Sequence, residues 1–364
     1  MIRSRFADGS RSSARLIVAA LVAILIFSLW PAVQGPGAGP GVSTATGVPN
    51  ADLYLYKAIV DHVGAGGDYY AVAAHELRTR DFPLRPFFTV RLPTLAWLQA
   101  ALGTAASWAL FLTLALATLC AWWVRLAGAF AQNGRRVTGA MLVAAGLAIA
   151  TSPGLIVLHE LWAGMLVALS LALWRPGKWR LSLFVALAAL LIRELALPFI
   201  LLMGAFALWN RRWAEAAAWG GVVLLFGGIL FWHYCQVILV TLPTDPASPG
   251  WLSIGGWPTM MRAFRLTSAL RVLPVPLGTI GVVLCIFGWL SWKSDAGWLG
   301  AIALLGYGLF FALLSRPNNF YWGLMMAPLL LLGLAFLPQA FADLARSWRD
   351  PDWTRPDARG KDGG

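Results

Sequence analysis

The sequence predicts an all-α polytopic membrane protein with about ten transmembrane helices and a large first external loop. Two observations predict it. The 364 residues are 59% hydrophobic and only 12% charged, with a mean hydropathy of +0.70; a soluble protein carries roughly twice that charged fraction. Apolar runs of about 15 to 25 residues recur from end to end between short basic connectors, the length a helix needs to cross a bilayer. The strict alternation of a β-barrel is absent. The net charge of +12 does not mark a nucleic-acid partner, because the basic residues lie in connectors and tail, where membrane topology places them. Cys120, Cys235 and Cys285 are scattered in or beside apolar runs. They have no disulfide or zinc spacing and read as packing residues.

Taken in order, residues 1–15 are a basic cytoplasmic N-terminus with Arg3, Arg5, Arg11 and Arg15. Residues 16–33 are a signal-anchor or first helix; no clean small-x-small cleavage site follows. Residues 34–93 form the external loop. Residues 94–102 are apolar but too short to span, so they dip into the outer leaflet and end at Gly103. Further spans fall at 105–130, 137–151, 155–174, 181–192, 195–209, 214–232, 276–290, 296–314 and 323–337. The membrane domain covers 16–338. Residues 339–364 are a cytoplasmic tail, and the Asp, Arg, Pro and Gly content from Ala342 onward predicts disorder. This assignment puts eighteen of the twenty-eight Lys and Arg on the cytoplasmic side, in keeping with the positive-inside rule.

The stretch 50–91 holds five of the sixteen acidic residues, two of the four histidines and four of the seven tyrosines. Asn50 can cap a helix starting at Ala51, on which Leu53, Tyr56, Ile59, Val60 and Val63 share an apolar face suited to the membrane surface. Asp52 falls in its first turn, where the helix dipole favours the ionised carboxylate. There it either stabilises the helix or serves as general base for a hydroxyl acceptor. Asp68 follows Gly66-Gly67 in a turn. Ten basic residues lie outside: Lys57, Arg78, Arg80, Arg85, Arg91, Arg193, Arg262, Arg265, Arg271 and Arg316. Each alone can face water; together they fit an anionic ligand such as a lipid phosphate, which arginine holds in a bidentate fork.

His159 and Glu160 stand near the outer start of a span, and Arg193 and Glu194 at an outer turn. Ionisable groups at that depth are functional candidates, although Arg193 and Glu194 also suit a local ion pair and His159 and His233 suit satisfied interfacial positions. No histidine has metal-ligand spacing. Most of the twenty tryptophans fall near helix ends, as an aromatic belt does. Tyr54, Tyr56, Tyr69, Tyr70, Tyr321 and Trp322 are external, where they can anchor the interface or stack on a sugar ring.

The order of a first span, then DLYLYKAIVDHVGAGGDYY, then FPLRPFFTVRLPTLAWLQAALG, resembles the multi-spanning GT-C glycosyltransferases that use polyprenyl-phosphate sugars. Asp52, Tyr54, Gly67, Tyr69, Tyr70, Pro83, Pro86 and Pro93 stand where that family has an acid, aromatics, a Gly-x-Tyr-like turn and prolines. TSPGLIVLHELWAGMLVALSLAL looks like its later span pair, and RELALPF and RPNNFYWGLMMAP resemble the bacterial mannosyltransferase-like subgroup. The resemblance spans residues 16–338. The family's Asp-Glu or Asp-Asp pair is absent at Asp52, so its assignment rests on position. The resemblance implies inverting hexosyl transfer from a polyprenyl-phosphate donor to a lipid or glycan acceptor at the outer face of the bacterial cytoplasmic membrane. Asp52 would be the base. Tyr54, Asp68, Tyr69, Tyr70, Arg85, Arg91, His159, Glu160, Arg193, Glu194, Arg316, Asn319 and Tyr321 would bind substrate. Arginines can replace a metal beside a lipid monophosphate, so no cofactor is required. Competing functions are a transporter or flippase, which would have repeat symmetry and deep ionisable groups, a polymerase for lipid-linked sugars, and a non-catalytic family member.

Overall fold

The computed structural model describes residues 4–33, 51–148, 152–250 and 254–349. Regular structure among them is helical, with only two isolated β-bridges. The α-helices are α1 Arg11–Val33, α2 Ala51–Gly64, α3 Tyr69–Thr79, α4 Thr94–Ala127, α5 Asn133–Leu147, α6 His159–Leu173, α7 Arg180–Ile192, α8 Leu197–Trp209, α9 Trp213–Val240, α10 Gly256–Leu266, α11 Val275–Ser291, α12 Asp295–Leu314, α13 Ala327–Leu330 and α14 Leu337–Arg349. Among the described residues, five segments are long and apolar enough to cross a membrane: Arg11–Trp30, Phe87–Ala127, Trp213–Val240, Asp295–Leu314 and Ala327–Arg349. Four apolar helices are shorter: His159–Leu173, Arg180–Ile192, Glu194–Trp209 and Val275–Ser291. Large apolar side chains point outward along α1, α4 and α9, among them Ile26, Leu116 and Leu224. An apolar exterior of this kind is stable against lipid and not against water.

Helix association in lipid relies on close packing and interhelical hydrogen bonds. Both are present. A Cβ on Gly288 of α11 would lie 1.9 Å from the Gly333 carbonyl oxygen, and one on Gly333 would lie 1.9 Å from that of Cys285. The two backbones therefore touch where only glycine fits. Buried indoles supply the hydrogen bonds: Trp122 donates to the Ala168 carbonyl (3.1 Å), Trp289 to that of Leu329 (2.9 Å) and Trp174 to the Glu215 carboxylate (2.7 Å). This corrects the aromatic-belt reading in part. Trp122, Trp162, Trp174, Trp219, Trp289, Trp292 and Trp322 are interior residues.

The tail also departs from expectation. Instead of disorder from Ala342, α14 continues to Arg349, and its Asp343 accepts from the Ser4 amide (2.7 Å) and from Gln339 (2.8 Å). The apolar spacing Leu337, Ala340, Phe341, Leu344 is helical, a signal that the charged composition obscured. Residues 350–364 lie outside the described residues. Arg5 joins the same end through the Leu290 and Trp292 carbonyls and the Trp298 ring, and Lys293 pairs with Asp8.

At the other end, α2, α3 and the start of α4 form a small unit with its own core of Leu55, Ile59, Tyr69, Tyr70, Ala73, Leu77, Val90 and Val237. Helix α2 is described from Ala51 onward; the expected Asn50 cap lies outside the described residues. Its most buried positions are Ile59, which belongs to the expected face, and Leu55, one residue off it, because the helix packs on α3 and α4 instead of lying free on a membrane surface. Gly103 has φ 74° and interrupts α4, so the expected stop survives as a kink.

Candidate functional site

Asp52 sits half-buried in the first turn of α2. The hydroxyl of Tyr321, from the 3-10 segment Pro317–Met325, lies close to its carboxylate and favours the ionised form. Burial raises its proton affinity above the ordinary carboxylate value; Arg91 and Arg193 oppose that rise and Glu160 adds to it. Asp52 forms no ion pair among the described residues. A desolvated carboxylate with one hydroxyl and cations nearby is basic enough to accept a proton and is not locked in a salt bridge.

Tyr56, one turn along the same face, completes the link to Arg91, whose Nε donates to its hydroxyl (3.0 Å). Arg91 Nη1 stands 3.8 Å from Glu194 Oε1. Tyr69 donates to the Arg91 carbonyl (2.7 Å), which fixes the backbone at that residue. Arg193, almost wholly buried, lies against Glu194 and has its Nε 2.8 Å from Glu160 Oε1. The N–H is not aimed at that oxygen, so the pair is held by charge rather than by an aligned hydrogen bond. His159 opens α6 and packs edge-on to the Tyr56 ring with centroids 5.0 Å apart. A narrow cavity behind α2 is lined by Tyr56, Ile59, Leu77, Arg91, Gln99 and His159. Three carboxylates, Asp52, Glu160 and Glu194, thus share the centre with two guanidinium groups.

Asp52, Tyr69, Arg91, His159, Glu160, Arg193, Glu194 and Tyr321 therefore come together as the sequence grouped them. The other candidates make their hydrogen bonds elsewhere or lie exposed, although Tyr70 packs edge-on to Tyr69 with centroids 5.1 Å apart. Tyr54 is exposed. Asp68 is the N-cap of α3, accepting from the Ala71 amide (3.0 Å), so the expected turn is a helix start. Tyr70 hydrogen-bonds His233 Nδ1 (3.0 Å) while Nε2 faces the Val90 carbonyl (3.1 Å). A carbonyl only accepts, so Nε2 carries the proton and Tyr70 is the donor. Arg85 donates to the Asp245 carbonyl (2.8 Å) and Arg316 to Ser248 Oγ (3.0 Å) and the Pro249 carbonyl. Asn319 is half-buried, with its amide on the Arg316 carbonyl (2.9 Å). Arg78 grips Asp245 with two hydrogen bonds of 2.7 and 2.8 Å. Arg78, Arg85 and Arg316 thus fasten the 241–250 loop, a partnership no local sequence signal announces.

Tyr56 was absent from the expected binding set. Its signal was available: it lies four residues after Asp52, on the same helical face. Among the described residues no three His, Cys, Asp or Glu side chains converge to hold a metal ion. Comparison with protein-family models, curated proteins and solved structures finds no match to the chain.

Proposed function

We propose that the chain is an inverting membrane glycosyltransferase that moves a hexose from a polyprenyl-phosphate donor to a lipid or glycan acceptor at the outer face of the bacterial cytoplasmic membrane. In this reading the five long helices, the four shorter apolar ones and α5 make up about ten spans in a GT-C-like arrangement, and the α2–α3 unit belongs to the first external loop. The observation that carries it is the half-buried Asp52, with Arg91, Arg193 and the Tyr321 hydroxyl near it and no ion pair of its own among the described residues. As the acceptor oxygen attacks the anomeric carbon, Asp52 takes its proton and the bond to the lipid phosphate breaks. The departing phosphate carries its own negative charge and needs a cation more than an acid. Arg91 is the cation with the largest effect on Asp52, and it is tethered by a neutral tyrosine and a distant carboxylate, so it can turn to that phosphate. Arg193, enclosed by two carboxylates, instead holds the floor of the site.

The test is Asp52→Asn in purified protein given lipid-linked sugar. Single-turnover transfer falls by about 10²- to 10⁴-fold, the usual contribution of a positioned acid–base group. Thermal stability holds or rises, because a desolvated charge has been removed. A variant that loses stability and keeps its turnover per folded molecule would reduce Asp52 to a helix-stabilising acid.

A further inference from the structure

Seven of the ten cations grouped with the Asp52 end have protein partners: Lys57 with Asp61, Arg78 with Asp245, Arg80 with Glu76, Arg85 and Arg316 with the 241–250 loop, and Arg91 and Arg193 in the site. Arg262, Arg265 and Arg271 are different. Among the described residues none of the three has an acidic partner or a side-chain hydrogen bond. Arg262 and Arg265 lie on α10, which buries Met260, Met261, Ala263 and Phe264 and keeps Arg262 exposed. Gly278 seats the group: a Cβ there would meet Arg265 Cδ at 2.7 Å and the Leu270 carbonyl oxygen at 2.9 Å, so Arg265 runs beside the short 3-10 turn Ala269–Val272 that carries Arg271. Burial first, and Arg262 second, hold the Arg265 guanidinium below its ordinary proton affinity. Like charges are therefore crowded together with no counter-charge among the described residues.

The same surface is apolar around the arginines. Ile254 is 76% and Val272 80% exposed, with Leu273, Val275 and Leu277 beside them. The α10 indole Trp257 ties this surface to α1 through Ser28 Oγ (2.9 Å) and packs against Phe27. Cations ringed by outward aliphatic side chains, at the end of a bundle with a lipid-compatible exterior, match a headgroup layer that is anionic above and hydrocarbon below.

We propose that Arg262, Arg265 and Arg271, with the aliphatic side chains around them, dock anionic phospholipid headgroups of the leaflet at the Asp52 end. The surface shares no residue with the Asp52 centre and does not depend on the glycosyltransferase reading. It predicts that the chain prefers an anionic annulus on this face, which would hold α10 and the adjoining Pro317–Met325 segment in place.

The experiment titrates the purified full chain in neutral detergent with phosphatidylglycerol, phosphatidylcholine and polyprenyl phosphate in separate arms, and reads lipid adducts by native mass spectrometry. The wild type retains phosphatidylglycerol over phosphatidylcholine. Arg262→Gln/Arg265→Gln/Arg271→Gln weakens phosphatidylglycerol binding by about fivefold per arginine, the fold-change equivalent of one basic residue near an anionic surface, and the loss is largest at low salt. Arg262→Glu, at an exposed side chain, shows the same direction if the triple variant folds poorly. Unchanged phosphatidylglycerol binding in the folded variants overturns the proposal. So does a loss confined to polyprenyl phosphate, which would make the surface a donor site.

Discussion

Asp52 and Tyr321 come from distant parts of the chain, and burial, with Arg91 next and the Tyr321 hydroxyl last, decides the proton affinity of the carboxyl. Burial raises the Asp52 carboxyl and Glu160 adds to the rise, while Arg91 first, then Arg193, and last the Tyr321 hydroxyl pull it back. The folded state therefore binds the proton more tightly than the unfolded chain does. The resulting stability is full below the ordinary carboxylate range and is lost as pH rises through the raised folded value. Activity runs the other way, since a base works only when deprotonated. Tyr321→Phe removes the weakest of these opposing influences, so the acid limb of the pH–rate profile should move slightly to higher pH than in wild type. A limb that stays in place or moves down, measured by single-turnover transfer, would show that Tyr321 does not govern this carboxylate. Burial also raises the Tyr321 hydroxyl, which keeps it a neutral donor across the working range. Much of this centre was legible residue by residue, because acids and arginines stand out in an apolar chain. Asp52 at a helix start and Arg193-Glu194 at a turn needed only local pattern. That Tyr321 reaches Asp52, and that Arg193 also faces Glu160, depends on long-range packing and left no local trace.

Among the elements, the 241–250 loop shows how a long-range contact can pass for a ligand site. Asp245 is buried, accepts two hydrogen bonds from Arg78 and one from the Leu242 amide (2.7 Å), and its carboxyl is held below the usual range chiefly by Arg78. Its stabilising contribution is present above the ordinary carboxylate range and is lost as pH falls through the depressed folded value. Charge-assisted hydrogen bonds of this kind contribute about 1.5 to 3 kcal/mol. A double-mutant cycle with Arg78→Met and Asp245→Asn should return a coupling energy of that order in thermal unfolding, at the lower end because Arg78 is partly exposed. Additive single effects would mean that the loop is fastened elsewhere. The sequence groups Arg78, Arg85 and Arg316 on one side but assigns Arg85 and Arg316 to substrate, because an arginine whose partner lies 160 residues away, as for Arg85, or 68, as for Arg316, looks unpaired in one dimension. The kink at Gly103 was legible, since it is written in the glycine itself and its neighbours. The helical course of α14 was legible too, in its apolar spacing, and the polar composition masked it.

For the molecule as a whole, the two sets of connectors assigned to opposite sides assemble at two separate places. Arg5 reaches the Leu290 and Trp292 carbonyls, Arg135 reaches Gln339 (3.2 Å), and Arg212 reaches Asp295 (3.4 Å), so the set expected inside is linked by contacts within itself. The set expected outside is linked likewise, through Arg78 to Asp245, Arg85 to the Asp245 carbonyl and Arg316 to Ser248. On the positive-inside tendency, the eighteen basic residues that the sequence assigns to the first set, against ten in the second, give the bundle its expected orientation. Ala65, Ala247 and Asn133 are all exposed, so cysteines there report sidedness without disturbing the core. The background should carry Cys120→Ala and Cys235→Ala, because Cys285 is buried while those two are not. On intact spheroplasts an impermeant thiol reagent should label Ala65→Cys and Ala247→Cys and spare Asn133→Cys until the membrane is permeabilised. Labelling of Asn133→Cys alone would invert the molecule and put Asp52 in the cytoplasm, where a polyprenyl-phosphate sugar presented outside could not reach it. Labelling that splits Ala65→Cys from Ala247→Cys would be more damaging, since the Arg78–Asp245 clip requires the two loops to share one side.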